Sequence, residues 1–458
     1  MNLDKLILDF HQDSINLAKE NRGSEVIWAT EYISVFALNS LGLAYATYEN
    51  NYKKALETLY NALKIEPASS MVWSNITHVY STIGQNDNAI EAALKAVECS
   101  DGKDFHSFYN AGVVLTNGGR LQEAEQMYRS ARILSPNNEN VSFNLSLSLL
   151  RQGKYEEGFQ LYEYRFKTSE YTGNFKKRFL QDEWDGRKFK KKSLLIYSEQ
   201  GLGDFIQFGR FIKNIRPFGG KIICEVQEPL AKIVKENFDV DEVIPRPNNS
   251  DWPQAPESDY CISICSLPRV LKIKGIEEVS SDPYIKTKTV YKLKNTGKKF
   301  KIGICWAGNP DHKRDCTRSI PVSNFSVLTQ NKNIQCYSLM KGVNSKRTWP
   351  TGAVDLNDGI EKLNIIDLQD KINDFNDLAG IVKSMDLVIT VDTALAHLCG
   401  SMGIPTWVLI GMETDWRWMD NINKTLWYDS VTLFRYKDGW ENLLNEVVDA
   451  LPINQKVK

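Results

Sequence analysis

Asp204 is the most distinctive candidate for chemistry in this 458-residue chain. It ends a Gly201-Leu202-Gly203-Asp204 motif that directly follows the apolar, strand-like run 193–197. Glycines at the start of a helix let backbone amides approach an anion. A carboxylate here can accept a proton from a hydroxyl group, and it can equally serve as a helix N-cap. Ile206 stands where a dinucleotide fingerprint needs a third glycine, so the motif argues against an NAD site.

A second motif follows the apolar run 302–306. Trp306, Gly308 and Asn309 open a loop that continues through Lys313 and Arg314 to Arg318. Cations clustered in a glycine-containing loop after a strand suit a diphosphate. A solvated loop is the alternative interpretation.

A third motif, Asp392-Thr393-Ala394 followed by His397, lies between a strand-like run and the start of a helix. Thr393 and Ala394 would present amides and a hydroxyl group to a phosphate. Asp392 could cap the helix or bind sugar hydroxyls. His397 on the first turn is either directed at a ligand or packed in the core.

Composition narrows the class of protein. The 56 basic and 57 acidic residues give a net charge of −1, which disfavours nonspecific nucleic-acid binding. No apolar run reaches the roughly 18 residues of a membrane span, and the N-terminus lacks a signal-peptide layout. Five separated histidines and eight scattered cysteines show no metal or disulfide spacing. We therefore expect a cytoplasmic protein with reduced thiols, no membrane span, no bound metal and no cofactor.

The first third of the chain is repetitive. Ala55, Ala89, Ala124 and Gly158 are separated by 34, 35 and 34 residues, and each follows a helix-breaking corner. Small residues at such positions let two antiparallel helices approach closely. The spacing resembles the tetratricopeptide repeat, a helix-turn-helix unit of about 34 residues. The fourth unit is degenerate, with Arg165 at a small-residue position. The array is either a stabilising block or, as we expect, a groove for a peptide or protein.

Beyond about residue 166, short apolar runs alternate with helical patterns, which predicts parallel sheets. We expect two Rossmann-like lobes separated by a lysine-rich break, with a cleft at the carboxyl ends of their strands. A basic segment at 176–192 is interpreted as a solvated connector. The predicted domains are a repeat array at 1–165, a linker at 166–192, lobes at 193–290 and 298–440, and a C-terminal helix and tail at 441–458.

The motifs together resemble the ADP-heptose:lipopolysaccharide heptosyltransferase-like superfamily of GT-B glycosyltransferases over residues 183–440. With the preceding repeats and Glu183-Trp184-Asp185-Gly186 at the junction, the chain looks like the bacterial tetratricopeptide-repeat glycosyltransferases. The resemblance implies a helical solenoid followed by an α/β GT-B module of two lobes. Some relatives of that layout modify flagellin, their repeats holding the acceptor protein.

By this resemblance Asp204 matches the catalytic base and Asp392 a residue near the donor sugar. The matching positions for nucleotide and phosphate binding are Gly201, Gly203, Trp306, Gly308, Asn309, Arg318, Ser338, Lys341, Asp374, Thr393, Ala394 and His397. The chain departs from the family at Met340, where relatives often have Gln, and at Arg318, where heptosyltransferases have Lys. ADP-heptose is therefore not assumed as the donor.

The implied reaction is an inverting, metal-independent sugar transfer from a nucleotide-sugar to an acceptor. Cationic side chains and helix amides would stabilise the departing diphosphate. Two alternatives remain open from the sequence. One is a tetratricopeptide-repeat adaptor whose GT-B module has lost turnover, and the other is a GT-B nucleotide-sugar epimerase.

Overall fold

The computed structural model describes residues 8–9, 12–13, 15, 24–168, 178–199, 201–246, 254–293, 297, 299–312, 315–342, 345–349 and 352–453. Lys313 and Arg314 of the second motif lie outside these residues, as does the start of the basic segment at 176–177. The chain divides into two compact units, Met1–Leu149 and Leu150–Lys458.

Helix pairs make up the first unit. Its helices are α1 (Ser24–Thr47), α2 (Tyr52–Ile65), α3 (Ser70–Thr82), α4 (Asn86–Cys99), α5 (Phe105–Asn117), α6 (Leu121–Leu134) and the first part of α7 (Glu139–Arg151). Side chains cap three of them: Asn51 accepts a hydrogen bond from the Lys54 amide, Asp104 accepts bonds from the amides of His106 and Ser107, and Asn138 accepts one from the Val141 amide. The predicted small residues Ala55, Ala89 and Ala124 are buried, and so are the alanines seven positions later, Ala62, Ala96 and Ala131.

Each predicted corner contains one residue with a positive φ angle. These are Asn50 (52°), Gly84 (74°), Gly119 (75°) and Gly153 (76°). Glycine and asparagine tolerate this conformation better than other residues do. The four left-handed residues repeat at the 34- to 35-residue spacing read from the sequence, so the period of the array comes from both the corners and the buried small residues.

The second unit opens with the end of α7 and with α8 (Tyr155–Tyr162), and its described residues then form two parallel sheets and a two-stranded antiparallel hairpin. The first sheet has five parallel strands in the order β1-β5-β2-β3-β4. Its strands are β1 (Asp182–Glu183), β2 (Ser193–Tyr197), β3 (Lys221–Gln227), β4 (Glu242–Arg246) and β5 (Tyr260–Ser263), and its helices are α9 (Leu202–Gly209), α10 (Ala231–Asn237) and α11 (Leu267–Val270). The strand order reverses between β2 and β5.

The second sheet has six parallel strands in the order β10-β7-β6-β11-β12-β13. Its strands are β6 (Phe300–Cys305), β7 (Ile334–Ser338), β10 (Ile365–Asp367), β11 (Leu387–Val391), β12 (Thr406–Ile410) and β13 (Val431–Arg435). The helices around it are α12 (Asp315–Arg318), α13 (Ser326–Thr329), α14 (Phe375–Val382), α15 (Ala394–Met402) and α16 (Trp440–Asp449). The hairpin of β8 (Lys346–Trp349) and β9 (Gly352–Asp355) lies between β7 and β10 in the chain. The strand order reverses between β6 and β11. Ligands of open parallel sheets bind beyond the carboxyl ends of the strands at such a reversal.

The predicted linker at 166–192 contributes to the first sheet where it is described. β1 pairs with β5, and the following Trp184 is fully buried. Arg178 is buried as well and donates a 2.5 Å hydrogen bond to Glu225 on β3. This end of the basic segment is therefore folded against the sheet, whereas the exposed lysines at 188 and 190–192 fit the expected solvated face.

Helix α8, which the sequence placed in the repeat array, packs within the second unit. The ring centroids of Tyr155 and Trp427 lie 5.8 Å apart, and Phe159 lies 6.0 Å from Trp416. Both α8 side chains are at most 1% exposed. The compact second unit thus begins at residue 150 rather than near 166.

Arg165, just after α8, is fully buried in the second unit. Its guanidinium donates to both carboxylate oxygens of Glu199 at 2.7–3.2 Å and to the Ser266 hydroxyl at 2.8 Å. It also donates to Glu163 and stacks on the ring of Phe166, 4.0 Å from its centroid. Removing one partner of a buried ion pair leaves an uncompensated charge, which is strongly destabilising.

We expect a fragment comprising residues 139–458 to be soluble and to unfold cooperatively. A fragment comprising residues 170–458 should aggregate, because it exposes Trp416 and Trp427 and leaves Glu199 without its guanidinium partner. Size-exclusion chromatography and thermal unfolding of both fragments measure this difference. A folded, soluble 170–458 fragment would show that α8 is dispensable for the second unit.

Candidate functional site

Asp204 lies on the first turn of α9, at the carboxyl end of β2. One of its oxygens, Oδ2, accepts a 2.7 Å hydrogen bond from the Gly201 amide, and the other, Oδ1, accepts a 2.5 Å bond from Arg417. Burial raises the pKa of Asp204 above its usual range, although the guanidinium of Arg417 opposes this effect. Asp204 therefore caps the helix and also has a raised proton affinity, so neither of its two interpretations excludes the other.

Gly203 is a point of close approach between α9 of the first sheet and α15 of the second. A Cβ atom at position 203 would lie 2.8 Å from Cδ2 of His397 and 3.1 Å from Cα of Ala394. A glycine is needed here because the contact includes backbone. The reversal points of the two sheets are thereby joined, since α9 follows β2 and α15 follows β11. Phosphate binding by Gly201, Gly203 and Ala394 stays a prediction.

Arg318 lies at the end of α12, against Gly308 in the loop after β6. A Cβ atom at Gly308 would lie 2.5–3.0 Å from the guanidinium, so glycine makes room for it. Its Nη1 atom donates a 3.0 Å hydrogen bond to the carbonyl oxygen of Asp392, and Nη2 donates to that of Asn309 at 3.4 Å. Its Nε atom is 3.9 Å from a carboxylate oxygen of Asp315, beyond hydrogen-bonding distance. The two hydrogen bonds of Arg318 are thus to carbonyl oxygens, and the Asp315 carboxylate lies at ion-pair distance.

Asp392 and Thr393 connect β11 to α15. Burial raises the pKa of Asp392, and the nearby negative charge of Asp415 raises it further, while Arg318 opposes both. Thr393 is the N-cap residue of α15, and its hydroxyl group lies 3.2 Å from that of Thr390. The fold thus brings Asp392, Thr393 and Arg318 together at the carboxyl ends of β6 and β11.

His397 is buried in the contact between the two sheets' helices. Its Nδ1 atom is 3.0 Å from the hydroxyl oxygen of Tyr428, and its ring stacks on Trp418 with centroids 5.2 Å apart. Burial lowers the pKa of His397 to about 3, so the imidazole is neutral near pH 7. His397 is therefore a packed histidine in this structure, and its contact with a phosphate stays a prediction.

The remaining predicted residues lie around β6, β7 and β10. Trp306 is buried and donates a 3.1 Å hydrogen bond to Asn357, while Ser338 is buried at the end of β7. The exposed Lys341 has its Nζ atom 3.4 Å from the carbonyl oxygen of Gln369. Asp374 caps α14 by accepting a bond from the Asp377 amide. Their roles in nucleotide binding stay predictions.

Sequence reasoning missed Arg417 and Asp415, which lie in the segment between β12 and β13. Arg417 is 8% exposed and links Asp204 to the second sheet. A Trp416-Arg417-Trp418 triplet with a preceding aspartate was the available signal, but it matched none of the motifs considered. Glu199, whose partner is Arg165, was missed in the same way.

Among the described residues, no group of three or more His, Cys, Asp or Glu side chains is arranged to hold a metal ion. In the same residues, no helix has both the length and the apolar composition needed to cross a membrane.

Comparison with known proteins gives a match over most of the chain. The chain is 23% identical to Protein FlbA of Caulobacter vibrioides over 429 residues, covering 88% of this chain and 70% of that protein. It is 33% identical over 98 residues to the small glutamine-rich tetratricopeptide repeat-containing protein 2 of Mycosarcoma maydis, covering 21% of this chain and 28% of that protein. No protein-family model matches the sequence.

Solved structures match part of the chain. PilF of Pseudomonas aeruginosa is 27% identical over 31% of this chain and 63% of its own, with a TM-score of 0.28. The second tetratricopeptide-repeat domain of human RPAP3, solved with an HSP70 peptide, is 22% identical over 26% of this chain and 97% of its own, with a TM-score of 0.24. The helix pairs of the first unit and the match to the Mycosarcoma protein agree. The first unit is thus a tetratricopeptide-repeat-like array of helix pairs, and a parallel-sheet α/β region follows it.

The low pKa of His397 predicts how stability depends on pH. Between about pH 6.5 and about 3 the unfolded chain binds a proton that the folded chain does not, so the free energy of unfolding falls as the pH falls through this window. His397→Asn should reduce that dependence by up to about 1.4 kcal/mol per pH unit. Urea unfolding followed by tryptophan fluorescence reports it, since nine of the eleven tryptophans lie at position 184 or later.

The exposed His106 provides the matched control, because His106→Asn should leave the pH dependence unchanged. Identical pH dependence in His397→Asn and the wild type would contradict the neutral, buried state of His397.

Proposed function

We propose that this protein is a glycosyltransferase that transfers a sugar from a nucleotide-sugar donor to a protein acceptor bound by the repeats. The observation that carries the proposal is the joining of two strand-order reversals. A half-buried carboxylate, Asp204, follows β2 in the first sheet, and Arg318 with the N-terminus of α15 lies at the reversal in the second. The contact at Gly203 brings α9, which carries Asp204, against α15, and Arg318 donates to the carbonyl oxygen of Asp392 just before α15. An acid–base group and an anion site in one cluster suit transfer from a diphosphate leaving group.

The donor side is supported by the electrostatics of Arg318. Its terminal nitrogens contact carbonyl oxygens, so a diphosphate would supply the full negative charge that these contacts lack. The amides at the start of α15 would add a second set of donors beside it. In this proposal Arg318, Thr393 and Ala394 stabilise the charge that develops as the bond between the sugar and the diphosphate breaks. The residues present supply this stabilisation themselves, in line with a metal-independent reaction.

The acceptor chemistry is assigned to Asp204. It accepts the proton of an acceptor hydroxyl group while that oxygen attacks the anomeric carbon from the face opposite the diphosphate. A new carbon–oxygen bond forms, the nucleoside diphosphate leaves with the bonding electron pair, and the anomeric configuration inverts. The raised pKa of Asp204 increases its proton affinity and so favours this step near neutral pH.

The repeats are proposed to hold the acceptor, and their charge distribution indicates its class. Helices α3 and α5 contain no Asp, Glu, Lys or Arg, whereas α2, α4 and α6 contain four each. The side chains of α3 and α5 include half-buried aromatic and amide groups, among them Trp73, Asn75 and Tyr109. Such a surface suits an uncharged polypeptide segment. The 139–458 fragment separates the two roles, because it should keep donor binding and lose acceptor binding.

Arg318→Ala should weaken the binding of nucleoside diphosphates by about 1.5–3 kcal/mol, the usual contribution of a hydrogen bond to a charged group. A thermal-shift screen of ADP, GDP, UDP and CDP identifies the tightest ligand, and calorimetry then compares the variant with the wild type. Binding of the corresponding nucleoside, which lacks the phosphates, should change little.

Arg187→Ala is the matched control, since Arg187 is an exposed arginine paired with Asp185 in the first sheet's region. It should not affect either ligand. Equal weakening of nucleoside and nucleoside diphosphate by Arg318→Ala would count against a diphosphate contact.

Asp204→Asn should lower the rate of sugar transfer by about 10²- to 10⁴-fold with little change in donor affinity. Asparagine can still accept the hydrogen bond from the Gly201 amide, so the helix cap is retained. The measurement is the release of nucleoside diphosphate from the nucleotide-sugar that binds, with thermal unfolding as the test of folding.

Asp438→Asn, at an exposed aspartate of the second unit, is the control and should have the wild-type rate. A folded Asp204→Asn variant with full activity would leave Asp204 only its capping role. A wild-type protein that binds donor but never releases nucleoside diphosphate would instead support the adaptor.

A further inference from the structure

Arg417 makes three side-chain hydrogen bonds, each from a different nitrogen atom. Its Nη2 atom donates to Oδ1 of Asp204 at 2.5 Å, its Nη1 atom to Asp415 at 2.9 Å and its Nε atom to the side-chain oxygen of Gln207 at 2.7 Å. Asp204 and Gln207 belong to α9 of the first sheet, while Arg417 and Asp415 follow β12 of the second. The planar guanidinium therefore joins the two sheets at one carboxylate.

The hydrogen bonds of Arg417 form in a largely buried environment. Arg417 is 8% exposed, and its guanidinium lies over the ring of Trp416, 4.6 Å from the centroid. Asp204 and Asp415 share the single positive charge, so the three groups carry a net charge of −1. The second oxygen of Asp204 is held by the Gly201 amide. Both carboxylate oxygens are thus oriented, one from each sheet.

We propose that Arg417 is a positioning residue for Asp204, and that Asp415 regulates this role by competing for the same guanidinium. The part played in catalysis rests on the proposed function of Asp204 as the base, whereas the three-group arrangement does not. Arg417 holds Oδ1 of the carboxylate toward the second sheet and stabilises its charged form. Asp415 withdraws part of that stabilisation, which leaves Asp204 able to accept a proton.

Other groups also face Asp204 and belong in the account of its titration. Glu199 follows β2 and raises the pKa of Asp204, as Asp415 does. Tyr162 at the end of α8 and Cys265 after β5 lie within electrostatic range of it. His397 on α15 is neutral and contributes no charge near pH 7. Arg417 is the cation that acts on Asp204 in this set.

The test follows the titration of Asp204 directly in the full chain. Aspartate labelled with ¹³C at Cγ gives a carboxyl signal for each aspartate, and the signal missing from Asp204→Asn identifies Asp204. Arg417→Gln removes the positive charge, so the titration midpoint of Asp204 should move to higher pH. Asp415→Asn removes the competing carboxylate, so the titration midpoint of Asp204 should move to lower pH. Arg417→Lys should return it toward the wild-type value, and Asp438→Asn should not move it.

A purely structural link between the sheets would lower stability without moving the midpoint in opposite directions. Shifts of the same sign in Arg417→Gln and Asp415→Asn, or no shift in either, would overturn the proposal. If Arg417→Gln fails to fold, the Asp415→Asn variant alone tests the proposal, and a midpoint that stays in place or moves to higher pH would overturn it. In an active enzyme the acidic limb of the kcat/KM profile should move in the same directions. Opposite shifts without any transfer would refute the glycosyltransferase and keep the three-group arrangement.

Discussion

The approach of α9 to α15 at Gly203 is the constraint on which the candidate site depends. Two helices, each following a central strand of a different parallel sheet, meet where a side-chain atom would overlap the Ala394 backbone and the His397 ring. Asp204 follows this glycine, and its carboxylate contacts Arg417 of the second sheet. A larger residue at 203 would separate the helices and lengthen the 2.5 Å contact between Asp204 and Arg417.

The charges around this contact are unevenly compensated. Asp204 and Asp415 share Arg417, whereas Arg318 donates hydrogen bonds to carbonyl oxygens and lies 3.9 Å from Asp315. The buried rings of Trp416 and Trp418 pack against Arg417 and His397. Electrostatic interactions are stronger where water is excluded, so a ligand with two negative charges beside Arg318 would change the local balance substantially.

Local patterns in the sequence were enough to locate most of the scaffold. β2 has the bounds of the apolar run at 193–197, and each corner of the repeat array has a left-handed residue at the expected spacing. The strands β1, β4, β8, β9, β10 and β13 were missed, because none of them is a continuous apolar run of the expected kind. Arg417 was missed because its partner Asp204 lies 213 positions away, and such a pair becomes visible only once both sheets are folded.

Arg165 was recognised in the sequence only as an unsuitable residue at a small-residue position. Its burial explains the anomaly, because the space that an alanine leaves for a neighbouring helix is used here for a guanidinium bound to Glu199. The two ends of the array are therefore expected to change differently in evolution. Helix pairs upstream of α7 can be gained or lost by duplication, since each is built from the same corner and the same buried alanines. The last pair cannot be exchanged for a consensus copy, so relatives with different numbers of repeats should differ at the amino-terminal end of the array and retain an arginine before the first strand of the sheet.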